Sequence, residues 1–135
     1  MKILIKDNGM YKLPHRAHDN DCGADVYSPE TISIWPHETV KINLKFAIDV
    51  PAGYSAFVFP RSGLSSKGIT CELPPIDPSY SGNIHAIVTN NTDKIYTVMR
   101  GDRIGQLVVL PCIVCDFITE KGAERAGGAF GSTGK

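Results

Sequence analysis

The sequence predicts an all-β domain, a jelly-roll-like sandwich or small barrel of short strands, and three observations predict it. Apolar and polar residues alternate with period two through much of the chain. Turn formers interrupt the alternation at short, regular intervals, and no segment carries a helical stripe of useful length. Many short strands at such spacing bury one face each and need a second layer to cover it.

The first run is Ile3–Ile5, followed by Thr31–Ile34. The clearest is Thr39–Val50, in which Val40, Ile42, Leu44, Phe46 and Ile48 alternate with Lys41, Asn43 and Lys45, and it reads as one strand with one buried face. Pro51-Ala52-Gly53 turns the chain into Ser55–Phe59. At most one helical turn fits, after Ser62 or after Asp102. Pro74-Pro75 and Ser81-Gly82 lead into Asn83–Thr89, Asn90-Asn91 into Lys94–Met99, and Arg100-Gly101-Asp102 into Gln106–Leu110 and Ile113–Thr119. From Gly122 onward small residues dominate and Phe130 is the only large apolar side chain. Such a segment cannot bury enough surface to fold alone. The expected organisation is a β domain over residues 1–121 and a flexible arm over residues 122–135 that orders on ligand.

The chain has 135 residues, 42% of them apolar, which suffices for one core. Its 14 basic and 14 acidic residues cancel, so no broad electrostatic footprint for duplex nucleic acid or an anionic membrane exists. Met1–Asp7 holds too short an apolar stretch for a signal peptide, and no run approaches the roughly 20 apolar residues of a membrane span. These features predict an intracellular, cytoplasmic protein, for which the sequon Asn90-Asn91-Thr92 carries no meaning.

Cys112-x-x-Cys115 invites a zinc or redox reading, but it is a single pair inside a run that reads as strand. Positions three apart on a strand face opposite sides, so ordinary half-buried cysteines are the expectation rather than a metal site. The histidines show neither ligand spacing nor a paired nucleophile.

Five glycine-punctuated polar blocks carry the chemistry: Gly23–Asp25, Pro60–Leu64, Ile76–Tyr80, Gly101–Gln106 and Arg125–Gly134. Together they supply carboxylates, guanidinium groups, hydroxyls and exposed N–H groups, an inventory suited to a metal-bound phosphate chain and a base. Asp77 sits between Pro75 and Pro78, which stiffen the backbone as a general base requires; an Asx turn opening a hairpin fits the same residues equally well. Tyr80 either walls a pocket or caps the sheet edge. Arg61, Ser62 and Gly63 follow an apolar strand as an anion cradle would, without the spacing of a P-loop. Asp102 and Arg103 read either as an ion pair or as ligand contacts, and Gln106 as a phosphate contact. Asp25 would hold a metal-bound water or Arg61, while Phe130 would stack on a flat ring and Gly131–Gly134 would wrap phosphate oxygens.

In this order the blocks resemble the homotrimeric deoxyuridine triphosphate nucleotidohydrolases (dUTPases). Pro60-Arg61-Ser62-Gly63-Leu64, Gly101-Asp102-Arg103-Ile104-x-Gln106-Leu107 and Phe130-Gly131-Ser132-Thr133-Gly134 match that family nearly letter for letter, and Ile76-Asp77-x-x-Tyr80-x-Gly82 and Gly23-x-Asp25 match at their key positions. The resemblance implies a jelly-roll trimer with active sites at subunit junctions, converting dUTP and water to dUMP and pyrophosphate. By position, Asp77 would be the base that activates water, and Tyr80 would pack on the deoxyribose and exclude a 2′-hydroxyl. Arg61, Ser62, Gly63 and Gln106 would contact phosphates. Asp25 would lie near Mg²⁺ through water, the ion arriving with the triphosphate. Arg125, Ser132 and Thr133, with Gly131, would close on the distal phosphates, and Phe130 would cover uracil from a neighbouring chain. Ser79 and Ser81 stand where the family usually has Asp and a long polar residue, and Pro74-Pro75 replaces a segment that normally carries Gly. A binding or regulatory protein on the same scaffold, responsive to dUTP, is the alternative.

Overall fold

The structure is a computed structural model that describes residues 1–120. In chain order its elements are β1 (Ile5–Asp7), β2 (Ala24–Tyr27), β3 (Ile32–Ile34), β4 (Thr39–Asn43), β5 (Phe46–Ile48), β6 (Tyr54–Phe59), α1 (Ser62–Ser65), β7 (Ile69–Glu72), β8 (His85–Asn90), β9 (Tyr96–Val98) and β10 (Arg103–Pro111). The fold is all-β, as the alternation predicts, and α1 is the single turn expected after Ser62. The strands form antiparallel sheets ordered β1-β5, β2-β10-β6, β3-β9 and β4-β8-β7. Three of these pairings are nested: β2 with β10, β3 with β9, β4 with β8. A long hairpin rolled over two layers pairs in this way, which is jelly-roll connectivity.

All four sheets feed one core. Val26, Ile34, Ile42, Phe46, Val58, Ile69, Val88, Val98 and Ile104 pack in a single buried cluster. Asn90 is buried among them and fully satisfied: its Nδ2 donates to the carbonyls of Ile34 (2.9 Å) and Lys94 (2.8 Å), and its Oδ1 accepts from Thr92 N (3.0 Å) and Thr92 Oγ1 (2.7 Å). The sequon asparagine is therefore a core residue. Cys71 on β7 is half-buried, with its thiol donating to Ile104 O at 3.6 Å. Burial, reinforced by Glu72, pushes that thiol up to about 11.

Several expectations need correction. Thr39–Val50 is two strands rather than one, broken where Lys45 takes a left-handed φ of 61° and Asn43 Oδ1 accepts its N–H at 2.8 Å. Strands β2 and β7 carry no clean alternation, and the pattern does not predict them. The turn at Asp102 is not helical and leads directly into β10. Ile113–Thr119 is not a strand: β10 ends at Pro111, paired there with Tyr54 of β6 alone, and the chain then leaves the sheet and exposes Ile113, Val114 and Phe117 to 89%, 90% and 82%. Cys112 and Cys115 are consequently exposed free thiols rather than half-buried ones. Among the described residues no helix is long and apolar enough to cross a membrane.

Candidate active site

The central strand β10 gathers three of the blocks into one sheet. Gln106 stands opposite Asp25 of β2 on one side and Phe59 of β6 on the other. The chain leaving β6 runs through Pro60 and Arg61 into α1, so Arg61 emerges beside Asp25. Arg61 Nε lies 3.7 Å from Asp25 Oδ1, and Arg103 Nη1 lies 3.7 Å from Asp25 Oδ2. Gln106 Nε2 donates to Pro60 O at 3.1 Å, pinning the start of the Arg-Ser-Gly turn. Gly23 is dictated by this packing: a Cβ there would lie 2.8 Å from both Cβ and Cδ of Gln106. Arg61 opens α1 without a side-chain cap, and among the described residues the first-turn N–H groups of Ser62 and Gly63 meet no capping group.

Asp102 does not pair with Arg103. Its Oδ2 accepts from Met99 N at 2.8 Å and its carbonyl from Ser28 N at 2.9 Å, which makes it a turn-closing residue, while Arg103 turns to Asp25. Tyr96, unmarked by sequence reasoning, sits in the same electrostatic field. Burial raises its phenol pKa, Asp102 adds to the rise and Arg61 opposes it.

Asp77 and Tyr80 belong to a different surface. Ile76 bridges to Ala56 of β6, its carbonyl accepting from Ala56 N (3.2 Å) and Ser55 Oγ (3.0 Å). The next residues turn, Tyr80 N donating to Asp77 O at 3.0 Å. That bond uses the main-chain oxygen, not the side chain of an Asx turn. Among the described residues the Asp77 carboxylate takes no hydrogen bond or ion pair. It faces a cleft of about 210 Å³ lined also by Tyr80, Lys41, Glu72 and His85. Tyr80 is 43% exposed, and its hydroxyl donates to Asn83 O at 2.7 Å. Its ring lies on Gly82, where a Cβ would come within 2.6 Å of the hydroxyl.

Asp25, Arg61, Arg103 and Gln106 therefore form one cluster, with Ser62 and Gly63 at its edge, and Asp77 and Tyr80 form another. The cleft that holds Asp77 is lined by none of the first group. Arg125, Phe130, Gly131, Ser132 and Thr133 lie outside the described residues. Sequence reasoning missed Lys41 and His85 as cleft residues. Lys41 alternates with buried Ile42 on β4, so period two alone puts it on the opposite face from the core. Among the described residues, no group of three or more histidine, cysteine or acidic side chains can cage a metal ion. Asp25 has a guanidinium near each of its oxygens, so its charge is already partly neutralised.

A sequence profile of the family described as dUTPase matches residues 10–134. The deoxyuridine 5′-triphosphate nucleotidohydrolase of Tropheryma whipplei is 42% identical, over 100% of this chain and 97% of the relative. That of Gloeobacter violaceus is 40% identical, over 92% of this chain and 90% of the relative. Among solved structures, the Staphylococcus bacteriophage 80alpha dUTPase superposes with a TM-score of 0.82 at 26% identity, covering 89% of this chain and 96% of that one. A point mutant of the dUTPase from phage phi11 of S. aureus, described as revealing coordination of a structural Mg(II) ion, gives 0.82 at 25% identity, over 90% and 97%. With a profile match through nearly the whole chain and relatives of this identity, the chain belongs to the dUTPase family and is, like them, a dUTP-hydrolysing enzyme.

Proposed function

We propose that dUTP is cleaved here by attack of water on the α-phosphorus, with Asp77 as the general base. The observation that carries this reading is the unpaired Asp77 carboxylate in the same cleft as Tyr80. Water forms the new oxygen–phosphorus bond, its proton passes to Asp77, and the bond to the bridging oxygen breaks to release pyrophosphate and leave dUMP. Such a displacement asks mainly for positioning and for neutralisation of spread negative charge. Tyr80, tied down at Asn83, walls the sugar side and leaves no room for a 2′-hydroxyl. Arg61, Ser62, Gly63 and Gln106 hold phosphate oxygens, and Asp25 orients Arg61 and Arg103 while standing near the ion through water. Mg²⁺, carried by the triphosphate, supplies further neutralisation of the developing charge.

The two clusters on one chain support a site completed by another copy, in a homotrimer. The exposed Ile113, Val114 and Phe117 support the same reading, since water is a poor partner for so much apolar surface. The arm residues Arg125, Phe130, Gly131, Ser132 and Thr133 complete the proposal by closing over the nucleotide in an intracellular, cytoplasmic enzyme. The test is pyrophosphate release across dUTP, UTP, dCTP and dTTP, with and without Mg²⁺. Wild-type chain is expected to act on dUTP alone, and Asp77→Asn to lose roughly 10²- to 10⁴-fold in kcat while still binding dUTP. Full activity in Asp77→Asn would refute the base.

A regulatory role is a second reading with one specific support. The 80alpha dUTPase is described as controlling transfer of virulence genes by a G protein-like mechanism. A pull-down with and without a non-hydrolysable dUTP analogue separates this from catalysis alone.

A further inference from the structure

We propose that His85 is a specificity-positioning residue of the cleft: by occupying one lone pair of the Asn83 carbonyl, it confines the Tyr80 hydroxyl to the other and so fixes the angle of the Tyr80 ring. The inference rests on the reading of Tyr80 as the gate against ribonucleotides. Tyr80 sits on a turn and is 43% exposed, so packing alone does not set its ring. Its tether is the 2.7 Å bond to Asn83 O. The same oxygen lies 3.0 Å from His85 Nδ1. A carbonyl can only accept, so Nδ1 carries the proton and donates. The acceptor therefore receives two hydrogen bonds, which fills both of its lone-pair sites.

The acceptor is itself held still. The peptide between Asn83 and Ile84 is anchored on its other edge, where Ile84 N donates to Phe46 O at 2.8 Å. The Asn83 side chain is held from a distant part of the chain, its Oδ1 accepting from Asn8 Nδ2 at 2.7 Å. His85 springs from β8 between buried Ile84 and Ala86, opposite Asn43 of β4. A rigid strand thus places the imidazole, the imidazole fills one lobe of a rigid carbonyl, and the half-exposed tyrosine is left a single site. Without the imidazole, the hydroxyl has two lobes to choose from and the ring two angles, only one of which closes the sugar pocket.

The experiment compares kcat/KM for dUTP and UTP in the full chain. His85→Leu removes the donor at similar size, and His85→Asn keeps an N–H donor at the δ position. His85→Leu is expected to lower discrimination about 2- to 12-fold, the value of one neutral hydrogen bond. His85→Asn should restore it to within about twofold, which a merely structural loss would not do. In a Tyr80→Phe background His85→Leu should change the ratio no further. If leucine prevents folding, as read by thermal melting, His85→Ala serves the same arm. Unchanged discrimination in the donor-less variant, failure of His85→Asn to restore it, or a full effect in the Tyr80→Phe background overturns the inference. Equal use of dUTP and UTP by the wild type would instead overturn the gate reading on which it rests, and with it the inference.

Discussion

Replacing Gly82 by alanine tests the gate from below. The new Cβ would lie 2.6 Å from the Tyr80 hydroxyl oxygen, 2.9 Å from Cζ and 3.2 Å from Cε1. Relaxed contacts of this kind sit near 3.5 Å, so the ring tip must retreat by roughly 0.6–1 Å. Directed along the 2.7 Å bond to Asn83 O, a displacement of that size would stretch it to about 3.5 Å, the edge of hydrogen-bonding range. The clash falls on the far end of a half-exposed side chain, so folding suffers little: a loss on the order of 1 kcal/mol, or a few degrees in Tm. Specificity bears the cost. One neutral hydrogen bond contributes about 0.5–1.5 kcal/mol, which converts to a roughly 2- to 12-fold loss in the ratio of kcat/KM for dUTP over UTP. Steady-state pyrophosphate release with both nucleotides, beside a melting curve, makes the measurement. A folded Gly82→Ala enzyme that keeps wild-type discrimination would show that the angle of the Tyr80 ring does not set the preference.

Gly23→Ala should act differently, because its Cβ meets the Cβ of Gln106, rooted in the backbone, at 2.8 Å. Strands β2 and β10 must part, and we expect a loss of about 1–3 kcal/mol in stability with a raised KM for dUTP, read by chemical denaturation and kinetics. Cys71 makes folding sensitive to alkali. Its thiol titrates at 9.0 ordinarily and at about 11 when folded, so its contribution is complete below pH 9 and is lost as pH rises toward 11. With partial exposure discounted, the loss is on the order of 1 kcal/mol, and Cys71→Val should flatten that part of the stability–pH curve. Finally, Asp77→Asn and Arg61→Ala chains, each inactive alone, should regain about a quarter of wild-type activity when unfolded together and refolded at equal amounts, if one chain's Asp77 serves the next chain's Arg61 in a closed ring. No recovery on mixing would confine the site to a single chain.

Period-two alternation made the strands of the sandwich layers legible, and the helical turn at Ser62 was legible as well. Alternation failed where burial is two-sided or the strand is short. Ala24–Tyr27 is buried at Ala24, Val26 and Tyr27, so β2 lacks the polar half of the pattern, and Ile69–Glu72 is too short to show one. Continuous alternation through Thr39–Val50 hid a break, because Lys45 keeps the pattern while its backbone turns left-handed. Ile113–Thr119 carries strand-like residues with no partner strand among the described residues, which no reading of one chain's periodicity can detect. For the candidate site, the blocks were visible as glycine-punctuated polar runs, but their grouping was not. Register decides that grouping. Nothing local to Asp25 or Gln106 says that β10 sets them opposite each other, nor that Arg103 pairs with Asp25 rather than with Asp102.

The separation of the two clusters follows from β6 alone. Ile76 bridges Ala56 near its start, and Arg61 leaves just past its end. From position 56 to position 61 is five residues, roughly 16 Å of extended chain at about 3.3 Å each. On the proposed roles, a base at the α-phosphorus and a guanidinium on the same phosphate chain would have to reach one nucleotide from opposite ends of this strand. The phosphate cluster also needs β10 between β2 and β6, so it cannot slide toward the cleft without breaking the register that aligns Gln106 with Asp25. Rotating a second copy about a closed axis solves the problem without altering either half, because it can carry its own arginine cluster to the first copy's cleft. On the proposed reading, each copy would then supply one half of a site and receive the other half from its neighbour.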